Sequence, residues 1–238
     1  FERVDESSTA AASPGAAPPG RRGGEPAART GLDQDIAEEL ARAASPSRAP
    51  RLAQRLGDAS RAYERERYDD ARRILVPLAR EAPGSTAVRE LLGLTWYRLG
   101  RWRDSIKELE AFRSLTASTE QHPVLADAYR AVRRYDEVEA LWRELREASP
   151  SAAVVAEGRI VYAGMLADRG DLEAAIKAIS PSIAKVRKLH AHHLRLLYVL
   201  ADLYERAGDA ARARTLFDRI VGTDPAFADA RARRRALG

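Results

Sequence analysis

The feature that most constrains this chain is a block of about 34 residues that recurs five times between residues 52 and 225. Its clearest marker is the residue opening the second of two helical segments in each block: Tyr68, Trp102, Tyr135, Leu172 and Ala210, at spacings of 34, 33, 37 and 38 residues. Three residues after each marker stand Ala71, Ser105, Val138, Ala175 and Ala213, where paired helices approach closely and a small side chain is wanted. Seven after it stand Leu75, Leu109, Trp142, Ile179 and Phe217, large in every block. On the first segment a small residue (Ala59, Gly93, Ala126, Ala163, Ala201) is followed three positions later by Ala62, Trp96, Tyr129, Leu166 and Tyr204. That i, i+3 pair sets a small residue beside a larger one, bulky in four of the five blocks, on one helix face. Pro83, Pro150 and Pro225 close three of the blocks, as expected where a helix must stop.

The stretches Leu91-Leu92-Gly93-Leu94-Thr95-Trp96-Tyr97-Arg98-Leu99-Gly100 and Val199-Leu200-Ala201-Asp202-Leu203-Tyr204-Glu205-Arg206-Ala207-Gly208 resemble the tetratricopeptide repeat. That family favours Gly in the tight turn two residues before each marker, where this chain has Glu66, Gly100, Arg133, Gly170 and Gly208. The resemblance implies an all-α fold, an α-α superhelix or solenoid of about five helix pairs. A stacked array needs a polar cover at its end, and residues 226–237 are read as a capping helix. In it Phe227, Ala230 and Leu237 pack inward, and Arg231, Arg233, Arg234 and Arg235 face water. The layout also looks like an actinobacterial group of such proteins.

Ahead of the repeats, residues 1–31 are rich in Ala, Pro and Gly and hold too little apolar surface to offset their ordering entropy, which predicts a disordered arm. Residues 32–50 predict a short helix from Asp33 to about Ala43 and a linker marked by Pro46 and Pro50, with the solenoid and its cap over 51–238. Pro181, inside the second helix of block four, predicts a helix end near Ile179.

Composition narrows the function classes. Cysteine is absent, which removes disulfides, thiolate zinc sites and cysteine nucleophiles. No stretch approaches the roughly 18–20 apolar residues of a membrane helix, so no membrane partner and a cytoplasmic setting are expected. The net charge of +5 is a small difference between 40 basic and 35 acidic residues. Of the basic residues only four are Lys, and Asn is missing, a pattern of GC-rich codon usage that weakens functional readings of single Arg residues. There is no Gly-rich phosphate loop and no local nucleophile signature. The chain is therefore read as a non-enzyme with no cofactor and no metal. His190, His192 and His193 form the one suspicious cluster, but only 190 and 193 share a helix face and no carboxylate lies nearby in sequence.

Two partner classes remain. The resemblance implies a concave groove built from outward positions of each first helix, and the register places there Tyr63, Glu90, Leu94, Tyr97, Arg98, Asp127, Arg130, Tyr198 and Asp202, with Leu56, Ser60, Glu64, Ile160, Gly164, Asp168 and Glu205 beside them. Tyr and Arg are frequent interface anchors, so a protein or peptide held in that groove by an adaptor or scaffold is the first expectation. The chaperone-binding type, which clamps a terminal carboxylate with Lys and Asn, is set aside, because Leu56 and Glu90 stand where a basic residue is required. The alternative is a nucleic-acid or ribosome-associated factor using basic patches at 185–195 (Lys185, Arg187, Lys188, Arg195) and 231–235.

Overall fold

The computed structural model describes residues 26–184 and 186–238, and in them the chain forms twelve α-helices with no strand. Two compact units are present. The first, ending at Leu99, holds α1 (Pro26–Ala43), α2 (Ala49–Glu64), α3 (Tyr68–Glu81) and α4 (Thr86–Arg98). The second, from Gly100, holds α5 (Trp102–Leu115), α6 (His122–Ala131), α7 (Tyr135–Ala148), α8 (Ala152–Asp168) and α9 (Leu172–Ile179), followed by a 3₁₀ turn (Ser180–Ser182). It ends with α10 (Ala191–Arg206), α11 (Ala210–Thr223) and α12 (Ala230–Ala236). No helix among the described residues is long and apolar enough to cross a membrane.

The five marker residues are the first residues of α3, α5, α7, α9 and α11. Each turn before them carries a left-handed residue, Glu66, Gly100, Arg133, Gly170 and Gly208, with φ between 58° and 89°. In four of the turns the next residue's N–H reaches back five positions: Arg67 to Ala62, Arg134 to Tyr129, Asp171 to Leu166 and Asp209 to Tyr204, at 2.8–3.0 Å. This is the Schellman closure, which absorbs carbonyls that the helix end leaves without partners. Asp171 and Asp209 then accept from the N–H groups of Ala174 (2.8 Å) and Arg212 (3.0 Å) and start the next helix.

Small residues sit where the helices close on each other, and Ala59, Ala71, Ala163, Ala175, Ala201 and Ala213 are all fully buried. Around them the first unit packs Leu52, Leu56, Leu75, Leu78 and Leu92, and the second packs Ile179, Leu197, Leu200, Phe217 and Ile220. Each such aliphatic or aromatic side chain contributes about 1.5–3 kcal/mol by leaving water. In the second unit Trp142 and Tyr162 stack at 5.7 Å across α7 and α8. Gly158 allows that contact, since a Cβ there would stand 2.3 Å from Leu145 Cδ2. Pro181 acts as expected: α9 stops at Ile179 and a 3₁₀ turn follows.

The beginning differs from the sequence reading. Residues 1–25 of the expected arm lie outside the described residues, and α1 starts at Pro26 rather than Asp33. Pro50, read as linker, sits in the first turn of α2, where its missing N–H costs nothing. Helix α1 also belongs to the first unit's core. Leu40 is fully buried, and the Glu39 carboxylate accepts from Ser85, Thr86 and the Ala87 N–H at the start of α4.

Candidate functional site

In the second unit the first helices α6, α8 and α10 lie side by side, α6 against α8 and α8 against α10. Spacings of three, four and seven residues bring Asp127 and Arg130 to one face of α6, Glu157, Ile160, Gly164 and Asp168 to one face of α8, and Arg195, Tyr198, Asp202, Glu205 and Arg206 to one face of α10. Arg130 bridges the first gap, donating through Nε to Asp168 at 2.6 Å and through Nη1 to Asp127 at 3.0 Å. Gly164 makes room for it, since a Cβ there would stand 2.9 Å from the Arg130 Cζ. Arg195 bridges the second gap, with Nε and Nη2 each 2.6 Å from a carboxylate oxygen of Glu157. Burial pushes the Glu157 carboxyl above its ordinary value against the pull of Arg195. Arg206 donates to the Ala167 carbonyl at 3.4 Å.

The result is a ladder of partly buried ion pairs running from helix to helix, with five carboxylates against three guanidinium groups at these positions. Asp127, Arg130, Tyr198 and Asp202 were legible from the register. Glu157 and Arg206 were not singled out. For Glu157 the signal was there, because Arg130 to Asp168 and Glu157 to Arg195 share a spacing of 38 residues.

Several expected site residues need correction. Tyr198 and Asp202 are engaged by the chain's own end: the Tyr198 hydroxyl donates to Asp229 at 2.6 Å, and Arg233 of α12 donates to Asp202 at 2.8 Å and to Glu205. Arg233 was expected to face water, and Arg234, expected likewise, pairs with Asp218. In the first unit Leu94 and Tyr97 are 9% exposed and contribute to packing rather than to an open groove. Glu90 is half-buried. Tyr63 is packed edge-on to Tyr68 at 5.3 Å, and burial pushes its phenol up to about 12. Arg98 lies 4.9 Å over the Tyr68 ring and 3.7 Å from Glu66.

The basic patches are broken up. Lys185 lies outside the described residues, Arg187 and Lys188 are exposed, and Arg195 is paired as above. In the second patch Arg231 and Arg235 are exposed. The three His rings of the cluster lie 4.0–5.8 Å apart, and the His193 Nδ1 accepts from the His190 N–H at 3.1 Å. Burial and the neighbouring imidazoles push His192 and His193 below their ordinary value. Among the described residues no group of three or more His, Asp or Glu side chains converges as a metal site requires.

Sequence reasoning also passed over a polar network that ties α5, α6 and α7. Arg113 donates to both Glu144 oxygens at 2.7 and 2.8 Å, and the His122 Nε2 lies 3.0 Å from Glu144. The Tyr129 hydroxyl donates to Glu110 at 2.9 Å. Burial pushes His122 down, with Glu144 pulling the other way, while burial and Glu110 raise the Tyr129 phenol to about 12. The network fastens three helices.

Helix pairs joined by one recurring turn, with first helices aligned into a face, define a helical repeat protein. The repeats are tetratricopeptide repeats: the family model matches residues 56–118 and 180–230, and the chain belongs to the tetratricopeptide repeat superfamily, with the solenoid fold of that class. A thermophilic TPR protein of Thermus thermophilus superposes with a TM-score of 0.59 at 19% identity, over 78% of this chain and 98% of that one. A tetratricopeptide repeat protein of Parabacteroides merdae gives 0.60 at 15% identity, over 88% and 79%. YrrB, described as a TPR protein with an unusual peptide-binding site, gives 0.50 at 13% identity, over 85% and 97%. A comparison with curated protein sequences gives no match.

Proposed function

We propose that this chain is a protein-binding scaffold whose α6, α8 and α10 face holds a peptide segment carrying Lys or Arg side chains. One observation carries the reading. In a chain of net charge +5, the ladder positions bear five carboxylates against three guanidinium groups of their own helices, and with Arg233 docked on Asp202 and Glu205 the face keeps one carboxylate in excess. Complementary potential of this kind steers encounter and fixes orientation. Tyr198 and Ile160 offer apolar surface beside the charges. The peptide-binding description of YrrB supports the partner class, and the TPR scaffold supports a holding rather than a catalytic role.

The basic patches favour a nucleic acid less, because Arg195, Arg233 and Arg234 already have carboxylate partners. The test is fluorescence anisotropy of the full chain with basic, acidic and neutral decapeptides and with single-stranded RNA. Basic peptides are expected to bind, and Asp127→Asn with Asp168→Asn is expected to weaken them about three- to tenfold through lost Coulomb attraction while helical circular dichroism is retained. Binding of RNA with no peptide preference, or cross-links of the bound peptide confined to α7, α9 and α11, would remove the proposal.

A further inference from the structure

Helix α12 ends the fold by placing one guanidinium against α10. The Arg233 Nη2 donates to Asp202 at 2.8 Å and to Glu205, and its Nη1 donates to the Tyr198 hydroxyl at 3.3 Å. The same guanidinium lies over the rings of Tyr198 and Phe217, 5.3 and 5.0 Å from their centroids. Two carboxylates, a phenol oxygen and two aromatic faces around one planar cation match what an arginine side chain presents: a fork of donors at its edge and a weakly hydrated face. An ammonium group would satisfy the carboxylates but brings neither the fork of donors nor the flat, weakly hydrated face that stacks on the rings.

The helix that delivers this side chain is lightly held. It has seven residues, fewer than a helix needs to persist in water by itself. Ala230 is its only fully buried residue, and Phe227 and Leu237 pack partly buried against the core. Its other ion pair, Arg234 to Asp218, has both side chains more than 40% exposed, and such pairs hold weakly. The link from α11 passes through Ala228 at φ 45°, a left-handed conformation that residues with a Cβ rarely adopt.

We propose that Tyr198, Asp202, Glu205 and Phe217 form an arginine receptor that Arg233 fills from within the chain, and that an arginine-bearing peptide gains this end of the face by displacing α12. The partner chemistry rests on the scaffold reading given above, whereas the receptor stands on the seating of Arg233. A tether of a few residues holds Arg233 at an effective concentration in the millimolar range. The intact chain therefore binds an external arginine more weakly than a chain whose own plug is removed.

The experiment uses a fluorescein-labelled synthetic peptide of residues 226–238, titrated with three full-length hosts: wild type, Arg233→Ala, and Phe227→Ala with Arg233→Ala. Both variants are expected to bind it at least tenfold more tightly than wild type. A peptide with Ala at the position of Arg233 is expected to lose at least tenfold on the same hosts, as is the native peptide on an Arg233→Ala host that also carries Asp202→Asn and Glu205→Gln. Variants that retain their helical circular dichroism yet bind no better than wild type, or an Ala peptide that binds as well as the native one, would overturn the receptor. Because this probe is the chain's own segment, its result is separate from that of the basic decapeptides. Decapeptides bound at α6 and α8 while α12 amides stay protected from hydrogen exchange would leave the scaffold reading standing and sink the displacement.

Discussion

Gly158→Ala tests the closest helix contact in the second unit. Taken alone, replacing Gly by Ala inside a helix stabilises it by about 1 kcal/mol. Here the new Cβ would stand 2.3 Å from Leu145 Cδ2 and 3.4–3.5 Å from two ring carbons of Trp142, where ordinary carbon contacts lie near 3.5–4.0 Å. Leu145 is 1% exposed and Trp142 8%, so neither has an empty side to move into. Overpacking of this kind costs about 1–3 kcal/mol, which offsets the propensity gain and leaves a net destabilisation of up to about 2 kcal/mol. Gly57→Ala in α2 is the matched control. Its nearest neighbour is the tip of the flexible Arg61 side chain at 3.4 Å, so the propensity gain of about 1 kcal/mol is retained. The two variants should therefore lie about 1–3 kcal/mol apart, Gly57→Ala above wild type and Gly158→Ala below it, in urea denaturation followed by circular dichroism. A Gly158→Ala protein as stable as Gly57→Ala would show that α7 and α8 do not approach as described.

Two further outcomes are expected. Arg133 is exposed and left-handed, so Arg133→Gly should raise stability by about 1 kcal/mol, or about 2–4 °C in Tm, and an unchanged or lower Tm would refute the strained turn. His122, His192 and His193 are all held below the ordinary imidazole value of 6.5, so their contribution is complete above that value and is lost as pH falls through the lower folded values. Glu144, held down by His122 and Arg113 although burial works the other way, follows only below the ordinary 4.5. Tm should drop between pH 7.5 and 5, and the drop should shrink in His192→Gln with His193→Gln; an identical drop in that variant would sink the assignment.

The local rules were legible because the repeat imposes them at every block. The five marker residues open five helices, and the turn position is left-handed even where Glu66 and Arg133 stand in place of Gly. A backbone closure fixed by hydrogen bonds overrides the preference of the residue. The face was read less well. Leu94 and Tyr97 share a helix face with Arg98, yet how deep each sinks depends on the neighbouring side chains rather than on register. Arg195 looked like part of a basic run because its partner, Glu157, lies 38 residues away. Arg233 read as a solvated cap for the same reason, its carboxylates standing on α10.

Counting Arg233, which docks on Asp202 and Glu205, the cations that pair with carboxylates along the ladder are Arg130, Arg195 and Arg233, all guanidinium groups, whereas the four lysines of the chain stand at 107, 177, 185 and 188. Alkali that discharges an amine near its ordinary value of about 10.4 leaves these ties ionised. Reagents that acylate primary amines likewise pass them by, so a dye or a solid support attached through lysine leaves every rung of the ladder chemically intact. A dicarbonyl that condenses with guanidines would strike all three rungs.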